Sequence, residues 1–248
     1  MRVGVVYYPG SNCEQDAVHA CHLVGLEAEL AWHKQASLDG CDALILAGGF
    51  SYGDHLRCGA LARFSPVMKL VERFAADGHP ILGICNGFQI LVEMGLLPGA
   101  LLANDGLKFR CQDTHMQVER TDSPFTNAYV EKQILRFNMA HYEGNYFADE
   151  ATLADIEANG QVVMRFCGPN GERGADHNPN GSIHDIAALR NRAGNVMGLM
   201  PHPERVLTAE LGSTDGRLMF ESLRNALAAG TSAEVASRPQ PVEVSADV

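Results

Sequence analysis

The chain has 248 residues, of which 46% are hydrophobic and 20% are charged, a composition that is typical of a folded globular protein and excludes a largely disordered one. Its formal net charge is −11, which argues against a general nucleic-acid binder, because proteins that bind the phosphate backbone are normally basic. The sequence has no apolar run of about 20 residues and no CxxC pair among its seven cysteines, so we expect no membrane span, no zinc or other metal site, no disulfide framework and a cytoplasmic location.

The first half of the chain alternates predicted strands with predicted helices. Apolar runs predict strands at 3–8, 27–32, 43–47 and 80–84, and amphipathic stretches predict helices at 14–24, 66–76 and 86–94. This alternation is typical of a parallel sheet with helices on both of its faces.

The second half is less regular and is predicted to be rich in strands. Candidate strands lie at 116–120, 134–136, 161–166, 182–189 and 196–200, and a last helix is predicted at 217–228. From residue 230 onward no period is visible. We therefore predict an α/β protein with a mostly parallel sheet flanked by helices, an added β-rich second half, one domain over residues 1–229 and a disordered tail over 230–248.

A cysteine lies at a predicted strand-to-helix junction, in the segment Gly83-Ile84-Cys85-Asn86-Gly87. This G-x-C-x-G pattern is the cysteine version of a nucleophile elbow, in which the backbone turns too sharply for large neighbours. The following helix N-terminus favours a thiolate at Cys85, and the N–H of Asn86 is expected to point toward a developing oxyanion. A buried structural cysteine in a glycine-containing turn is the alternative.

A histidine with flanking prolines occurs late in the chain, in Met200-Pro201-His202-Pro203-Glu204. The prolines favour an extended backbone, in which residues i and i+2 point the same way. Glu204 is therefore expected to orient His202, whose other ring nitrogen would face Cys85 as the base. A surface turn rich in proline is the alternative.

A glycine pair follows the third predicted strand, in the segment from Gly48 to Asp54. Loops at the carboxyl ends of parallel strands line the ligand crevice of such sheets, so Gly49 is expected to supply a second oxyanion donor. A flexible turn or a weak phosphate loop is the alternative, although the segment fits neither common nucleotide-binding pattern.

Together these three segments resemble the class I, triad-type glutamine amidotransferases, in which a Gly-Gly loop, a G-x-C-x-G elbow and a late His-Pro-Glu occur in this order. The resemblance spans about residues 2 to 228 and is strongest to the glutaminase subunits of a purine-pathway synthase. It is carried by the segments 9–16, 48–54, 83–89, 178–182 and 198–205.

The resemblance implies a flavodoxin-like three-layer sandwich and hydrolysis of glutamine to glutamate and ammonia through a glutamyl thioester. It also implies no cofactor in this chain, since the ammonia would pass to a synthetase subunit that uses ATP and Mg to make formylglycinamidine ribonucleotide, with a small third subunit in the complex. The site residues that the resemblance implies are Cys85, His202 and Glu204 as the triad, and Gly49, Phe50, Asn86 and Gln89 as oxyanion or substrate contacts.

Three stretches depart from the family pattern, namely Tyr142 in place of a common glycine, an extra loop at 169–176, and the residues from 230 onward. The residues leave three other functions as alternatives. An amidotransferase for a different acceptor is disfavoured by the segment 48–54, and a cysteine-type α/β-hydrolase by the position of Glu204 only two residues after His202. A non-catalytic interaction module would be expected to lack a triad member.

Overall fold

The computed structural model describes the backbone of residues 1–237 and the side chains of residues 1–230. Short 3-10 turns connect many of the regular elements. The strands are β1 Arg2–Tyr7, β2 Glu27–Trp32, β3 Ala43–Leu46, β4 Ile81–Ile84, β5 Ala100–Ala103, β6 Arg110–Val118, β7 Ile134–His141, β8 Glu143–Phe147, β9 Val162–Cys167, β10 Ile186–Arg190 and β11 Val196–Leu199; the α-helices are α1 Glu14–Leu23, α2 Met68–Ala76, α3 Asn86–Glu93, α4 Glu150–Ala158 and α5 Arg217–Ser237.

One large mixed sheet organises the molecule, with the strand order β2-β1-β3-β4-β11-β10-β9-β6-β7. The first five strands in this order, β2, β1, β3, β4 and β11, pair in parallel. From β11 onward, the strands β11, β10, β9, β6 and β7 pair antiparallel. A separate antiparallel pair joins β5 to β8. The predicted α/β class is thus confirmed, and most of the β-rich second half extends the same sheet in antiparallel fashion.

Helices cover both faces of the parallel half. Helix α1 connects β1 to β2, and α2 connects β3 to β4 on the other side of β1, so right-handed crossovers place these two helices on opposite faces. Helix α5 contacts α1, and α3 packs on β3, β4 and β11. The connection after β1 leads toward β2 on one side of the sheet, and the connection after β3 leads toward β4 on the other side. Where two neighbouring parallel strands connect in opposite directions, the loops at their carboxyl ends separate and form a crevice.

The core sits in the middle of the sheet. Every residue of β3, β4, β10 and β11 is buried, which explains why β3, β4 and β11 contain only apolar residues and glycine, and why β10 is apolar up to its last residue, Arg190. The edge strand β2 instead alternates more exposed and more buried positions because one edge and part of each face meet solvent. The central strands therefore form a rigid base for the loops at their ends.

Three elements of the second half were not predicted from the sequence. Strand β5 has only four residues, β8 contains Glu143 and Asn145, and α4 buries only Leu153 and Ile156. Such short or polar segments lack the apolar period on which sequence prediction depends.

Helix α5 is longer than predicted and continues through the first residues of the predicted tail to Ser237. Gly230 does not end the helix, because one glycine costs only about 1 kcal/mol and the good helix formers Ala233, Glu234 and Ala236 lie within the next two turns. The rest of the predicted tail, 238–248, lies outside the described residues. In the described part of the chain no helix, α5 included, is both long enough and apolar enough to cross a bilayer.

Candidate active site

The predicted site segments meet at one edge of the sheet. Strands β1, β3, β4 and β11 are neighbours and run in parallel, so the loop at 8–13, the Gly48–Gly49 loop, Cys85 and His202 all follow their carboxyl ends. The antiparallel half also reaches this edge through β7, where the carbonyl oxygen of Asn138 accepts from the N–H of His202 at 2.8 Å. Both halves of the sheet therefore build the site.

Cys85 stands on a sharp turn between β4 and α3. Its φ and ψ are 50° and −105°, and it occupies the N-cap position of α3, a conformation that an L-residue adopts only under constraint. A Cβ on Gly83 would come within 2.7 Å of the backbone of Gly87, and a Cβ on Gly87 would overlap the carbonyl oxygen of Leu46. The turn therefore requires both glycines of the G-x-C-x-G pattern.

His202 and Glu204 form a buried pair behind Cys85. The Nδ1 of His202 donates to Oε1 of Glu204 at 2.6 Å, and both side chains are almost fully buried. This contact fixes the proton on Nδ1 and leaves Nε2 available, and no residue in the described part of the chain bonds to Nε2.

The surroundings of His202 favour its protonated form. Burial alone lowers the pKa of His202, but the carboxylate of Glu204 and the sulfurs of Cys85 and Cys13 outweigh burial and hold this pKa well above its usual value. His202 is thus suited to carry a proton, which is the form that a base next to a cysteine nucleophile needs in order to protonate a leaving group.

Gly48 keeps the space between the nucleophile and the base open. A Cβ at this position would lie 3.1 Å from Cε1 of His202, 3.3 Å from Sγ of Cys13 and 3.5 Å from Cβ of Cys85. The nearest hydrogen-bond contact of Sγ of Cys85 is a long one of 3.9 Å to the carbonyl oxygen of Ala140, so the sulfur is not committed elsewhere.

The backbone around Gly49 has the orientation that an oxyanion donor needs. Gly49 and Ser11 lie opposite each other in a short antiparallel bridge. The residues on either side make its hydrogen bonds: the N–H of Phe50 donates to the carbonyl oxygen of Gly10 (2.8 Å), and the N–H of Asn12 donates to that of Gly48 (3.2 Å). In such a non-hydrogen-bonded antiparallel pair the N–H of the central residue points away from its partner strand. The N–H of Gly49 is therefore free to face the pocket, whereas that of Phe50 is committed.

Asn86 and Gln89 lie on the first turn of α3. The N–H of Asn86 is one of the helix-terminal donors that have no partner within the helix. The side chain of Asn86 accepts a hydrogen bond from the N–H of Ser51 (3.3 Å) and donates one to Oε1 of Gln89 (2.9 Å). Nε2 of Gln89 in turn donates to the carbonyl oxygen of Glu143 (2.5 Å). Gln89 thus ties the elbow to the start of β8 and also lines the pocket.

A pocket opens beside Cys85 and contains two carboxyl groups. Oε2 of Glu143 accepts from the N–H of Cys58 at 3.2 Å, and burial together with Glu143 raises the pKa of Asp54. Three partly exposed aromatic side chains, Phe50, Phe109 and Tyr142 (43, 49 and 42% exposed), border this space and the adjoining cleft; we call them the aromatic collar. The pocket is lined by Gly49, Phe50, Asp54, Cys58, Cys85, Gln89, Ala140, His141, Tyr142 and Glu143.

Sequence reasoning assigned no role to Cys13 and did not place Arg205 in the site. Nη2 of Arg205 lies 2.9 Å from Sγ of Cys13, and both line the cleft at His202. The position of Cys13 in the loop after β1, at the carboxyl end of a parallel strand, could have indicated that Cys13 lies in the site.

The site also contains the one group of three metal-ligand types that the described residues bring together, namely Cys13, His202 and Glu204. The guanidinium of Arg205 occupies the approach to Cys13, and the 2.6 Å contact between His202 and Glu204 uses one atom of each. A positive charge at this point repels a cation. The group is therefore better suited to proton transfer than to metal binding.

Comparison with known proteins gives matches over most of the chain. Residues 1–220 match the family of CobB/CobQ-like glutamine amidotransferase domains. "Phosphoribosylformylglycinamidine synthase subunit PurQ" of Salinibacter ruber is 56% identical over 225 residues, which cover 90% of this chain and 96% of that protein. The protein of the same name from Thermus thermophilus is 53% identical, with 90% and 97% covered. A chain in the structure of PurLQS from Thermotoga maritima is 42% identical, with a TM-score of 0.82 and coverage of 91% and 98%.

Proposed function

Because this chain belongs to the CobB/CobQ-like glutamine amidotransferase family, we propose that it is the glutaminase subunit of a phosphoribosylformylglycinamidine synthase in purine biosynthesis. Relatives more than 50% identical over nearly their whole length bear that name. The observation that carries the chemistry is the buried contact of 2.6 Å between His202 and Glu204 at the edge of the sheet where Cys85 stands on its elbow.

In the proposed reaction Sγ of Cys85 attacks the side-chain amide carbon of glutamine. The N–H groups of Gly49 and Asn86 hold the developing oxyanion. His202 gives its proton to the leaving ammonia, and the C–N bond breaks to leave a glutamyl thioester. His202 then takes a proton from water, which attacks the thioester and releases glutamate, while Glu204 keeps the imidazole oriented.

The pocket beside Cys85 suits the other end of glutamine. Asp54 and Glu143 place carboxyl groups in its wall, and these are complementary to the α-ammonium group of an amino acid. Gln89 is proposed to position the substrate through the wall that it forms with Glu143, to which it is bonded at 2.5 Å.

The exposure of the aromatic collar is evidence that a protein partner covers the mouth of the site. Aromatic side chains left exposed around a pocket are typical of a surface that a partner covers. We propose that a PurL-like synthetase subunit, which binds ATP and Mg, covers the collar and receives the ammonia, with a PurS-like small subunit in the complex. This chain itself then needs no cofactor, and the complex works in the cytoplasm.

The test uses the chain assembled with its synthetase subunit, glutamine, ATP and formylglycinamide ribonucleotide. We expect Cys85→Ala to abolish glutamate release and glutamine-dependent product formation, while added ammonia still supports product. A glutamine-like diazoketone should label Cys85 alone. Cys111→Ser is the matched control, because Cys111 is an exposed cysteine outside the site. Glutamine hydrolysis retained in Cys85→Ala, or labelling at another cysteine, would contradict the proposal.

A further inference from the structure

A second buried histidine, His141, lies at the end of β7 and lines the pocket beside Cys85. Its Nδ1 is 3.0 Å from Oδ1 of Asn104. The Asn104 amide has only one consistent orientation, because Nδ2 donates to the carbonyl oxygens of His141 (2.8 Å) and Lys108 (3.1 Å), and Oδ1 accepts from the N–H of Gly144 (3.1 Å). Nδ1 of His141 must therefore carry a proton, which leaves a lone pair on Nε2.

This lone pair meets no donor among the residues that the structure describes. His141 is only 3% exposed, and its Nε2 makes no hydrogen bond with any residue in the described part of the chain. Burial and the nearby His202 lower the pKa of His141 to about 3, so the ring is neutral at neutral pH and Nε2 can only accept. A buried acceptor without a partner is costly and rare in native proteins, which indicates that a ligand supplies the missing donor.

We propose that Nε2 of His141 accepts a hydrogen bond from the side-chain NH₂ group of bound glutamine and so makes the pocket selective for an amide. This inference rests on the proposed glutaminase function. With the amide oxygen held by Gly49 and Asn86, the amide nitrogen turns toward the remaining wall of the pocket, to which His141 belongs. An amide nitrogen carries two hydrogens, one of which is left for a neutral acceptor.

The same contact separates substrate from product. The γ-carboxylate of glutamate offers only acceptor atoms, so it faces the lone pair of Nε2 without a hydrogen bond and with electrostatic repulsion. A site built to bind an N–H group discriminates strongly against a ligand that lacks it, because the buried acceptor is then left unpaired. His141 is thus a specificity-determining residue that favours glutamine binding and glutamate release.

The test compares two substrates that acylate Cys85 but differ in the leaving group, glutamine and the γ-methyl ester of glutamate. In the assembled complex, we expect His141→Phe to lower kcat/KM for glutamine by about 10- to 100-fold and to leave kcat/KM for the ester nearly unchanged, because the ester has no N–H to donate. Cys85→Ala should abolish both reactions, which shows that they share one nucleophile.

Equal losses for glutamine and ester in His141→Phe would overturn the inference and leave the glutaminase function standing. Failure of the unaltered complex to hydrolyse glutamine would instead refute the proposed function itself.

Because His141→Phe leaves Asn104 without its partner and can fail to fold, a second measurement uses the native histidine. In the Cys85→Ala chain with ¹⁵N-labelled histidine, we expect His141 to be protonated at Nδ1, and its Nε2 resonance to move when glutamine is added. A proton on Nε2, or an Nε2 resonance that saturating glutamine leaves unchanged, would overturn the inference.

Discussion

Two buried histidines border the same site, and their neighbours drive their pKa values in opposite directions. Each uses Nδ1 to contact a side-chain oxygen, which belongs to a carboxylate, Glu204, for His202 and to a carboxamide, Asn104, for His141. The carboxylate of Glu204, together with the sulfurs of Cys85 and Cys13, overcomes the effect of burial and holds the pKa of His202 high, whereas burial and the nearby His202 lower the pKa of His141 to about 3. One ring is thus fitted to carry a proton and the other to accept a hydrogen bond.

Glu204→Gln tests whether the carboxylate of Glu204 causes the high pKa of His202. Without the carboxylate the pKa of His202 falls, so its imidazolium form is lost at a lower pH. We expect the alkaline limb of the pH profile of kcat/KM for glutamine to move to lower pH, and kcat to fall by as much as about 10⁴-fold, as for the acid of a serine triad.

The matched control is Glu131→Gln, since Glu131 is an exposed glutamate in the turn between β6 and β7. Its pH profile should overlay that of the unaltered chain. An unchanged alkaline limb in Glu204→Gln would mean that Glu204 does not set the protonation of His202.

Local spacing explains which site residues could be predicted from the sequence. Cys85 lies between two nearby glycines, and Glu204 lies two residues from His202, so each pattern is visible in a short window. His141 could not be recognised, because its tautomer depends on an amide 37 residues away. The contact of Cys13 with Arg205 joins residues 192 positions apart, and no local pattern records it.

At the scale of elements, the elbow depends on how closely α3 approaches β3. Gly87 lies in the first turn of α3, directly against the carbonyl oxygen of Leu46 at the end of β3. A helix residue with a side chain would force α3 away from the sheet, and Cys85 would move with it.

Gly87→Ala is therefore expected to destabilise the chain by about 1–3 kcal/mol or more, since a methyl group must be fitted into filled space. Urea unfolding measures the loss. Because Cys85 is displaced from Gly49 and His202, kcat should fall as well, even at temperatures where the variant is folded.

Gly230→Ala is the counterpart on α5. A Cβ at Gly230 meets nothing within 4 Å, and alanine is favoured over glycine within a helix by about 0.5–1 kcal/mol. The free energy of unfolding should therefore rise slightly in this variant. Equal destabilisation by both substitutions would show that the loss in Gly87→Ala is not caused by the contact with Leu46.

The elements differ in how well their sequences predict them. The central strands β3 and β4 are buried on both faces and read as unbroken apolar runs, so they were predicted nearly to the residue. Helix α4 has only two buried residues in nine, and its existence depends on a docking site that other elements supply. Local sequence carries too little information about such contacts.

At the scale of the whole molecule, two exposed leucines lie close to the pocket in an unfavourable backbone conformation. Leu56 (φ 71°, 87% exposed) lies between the pocket residues Asp54 and Cys58, and Leu107 (φ 51°, 70% exposed) lies two residues before Phe109 of the aromatic collar. Left-handed backbone is costly for leucine, and an exposed leucine gains nothing from solvent. Burial under the proposed synthetase subunit would offset this cost.

We expect Leu56→Asp to weaken binding of the synthetase subunit by about 10-fold or more, because a charge would enter a desolvated contact. The dissociation constant of the complex measures the change. Glutaminase activity of the isolated chain should equal that of the unaltered chain, since Leu56 does not line the pocket.

Val130→Asp provides the comparison. Val130 is also an exposed apolar residue, at 70%, but lies in the turn at the far end of the β6–β7 pair from His141. This variant should bind the synthetase subunit normally. Normal binding by Leu56→Asp would remove Leu56 from the interface.

The position of β11 has a consequence for biosynthesis. Among the residues that the structure describes, this strand is the last along the chain, yet it lies in the middle of the sheet, between β4 and β10. A nascent chain that ends before β11 lacks His202 and leaves the central strands β4 and β10 without the neighbour that pairs with both. Such a chain lacks both the complete sheet and the base of the proposed reaction, so it cannot consume glutamine by that reaction.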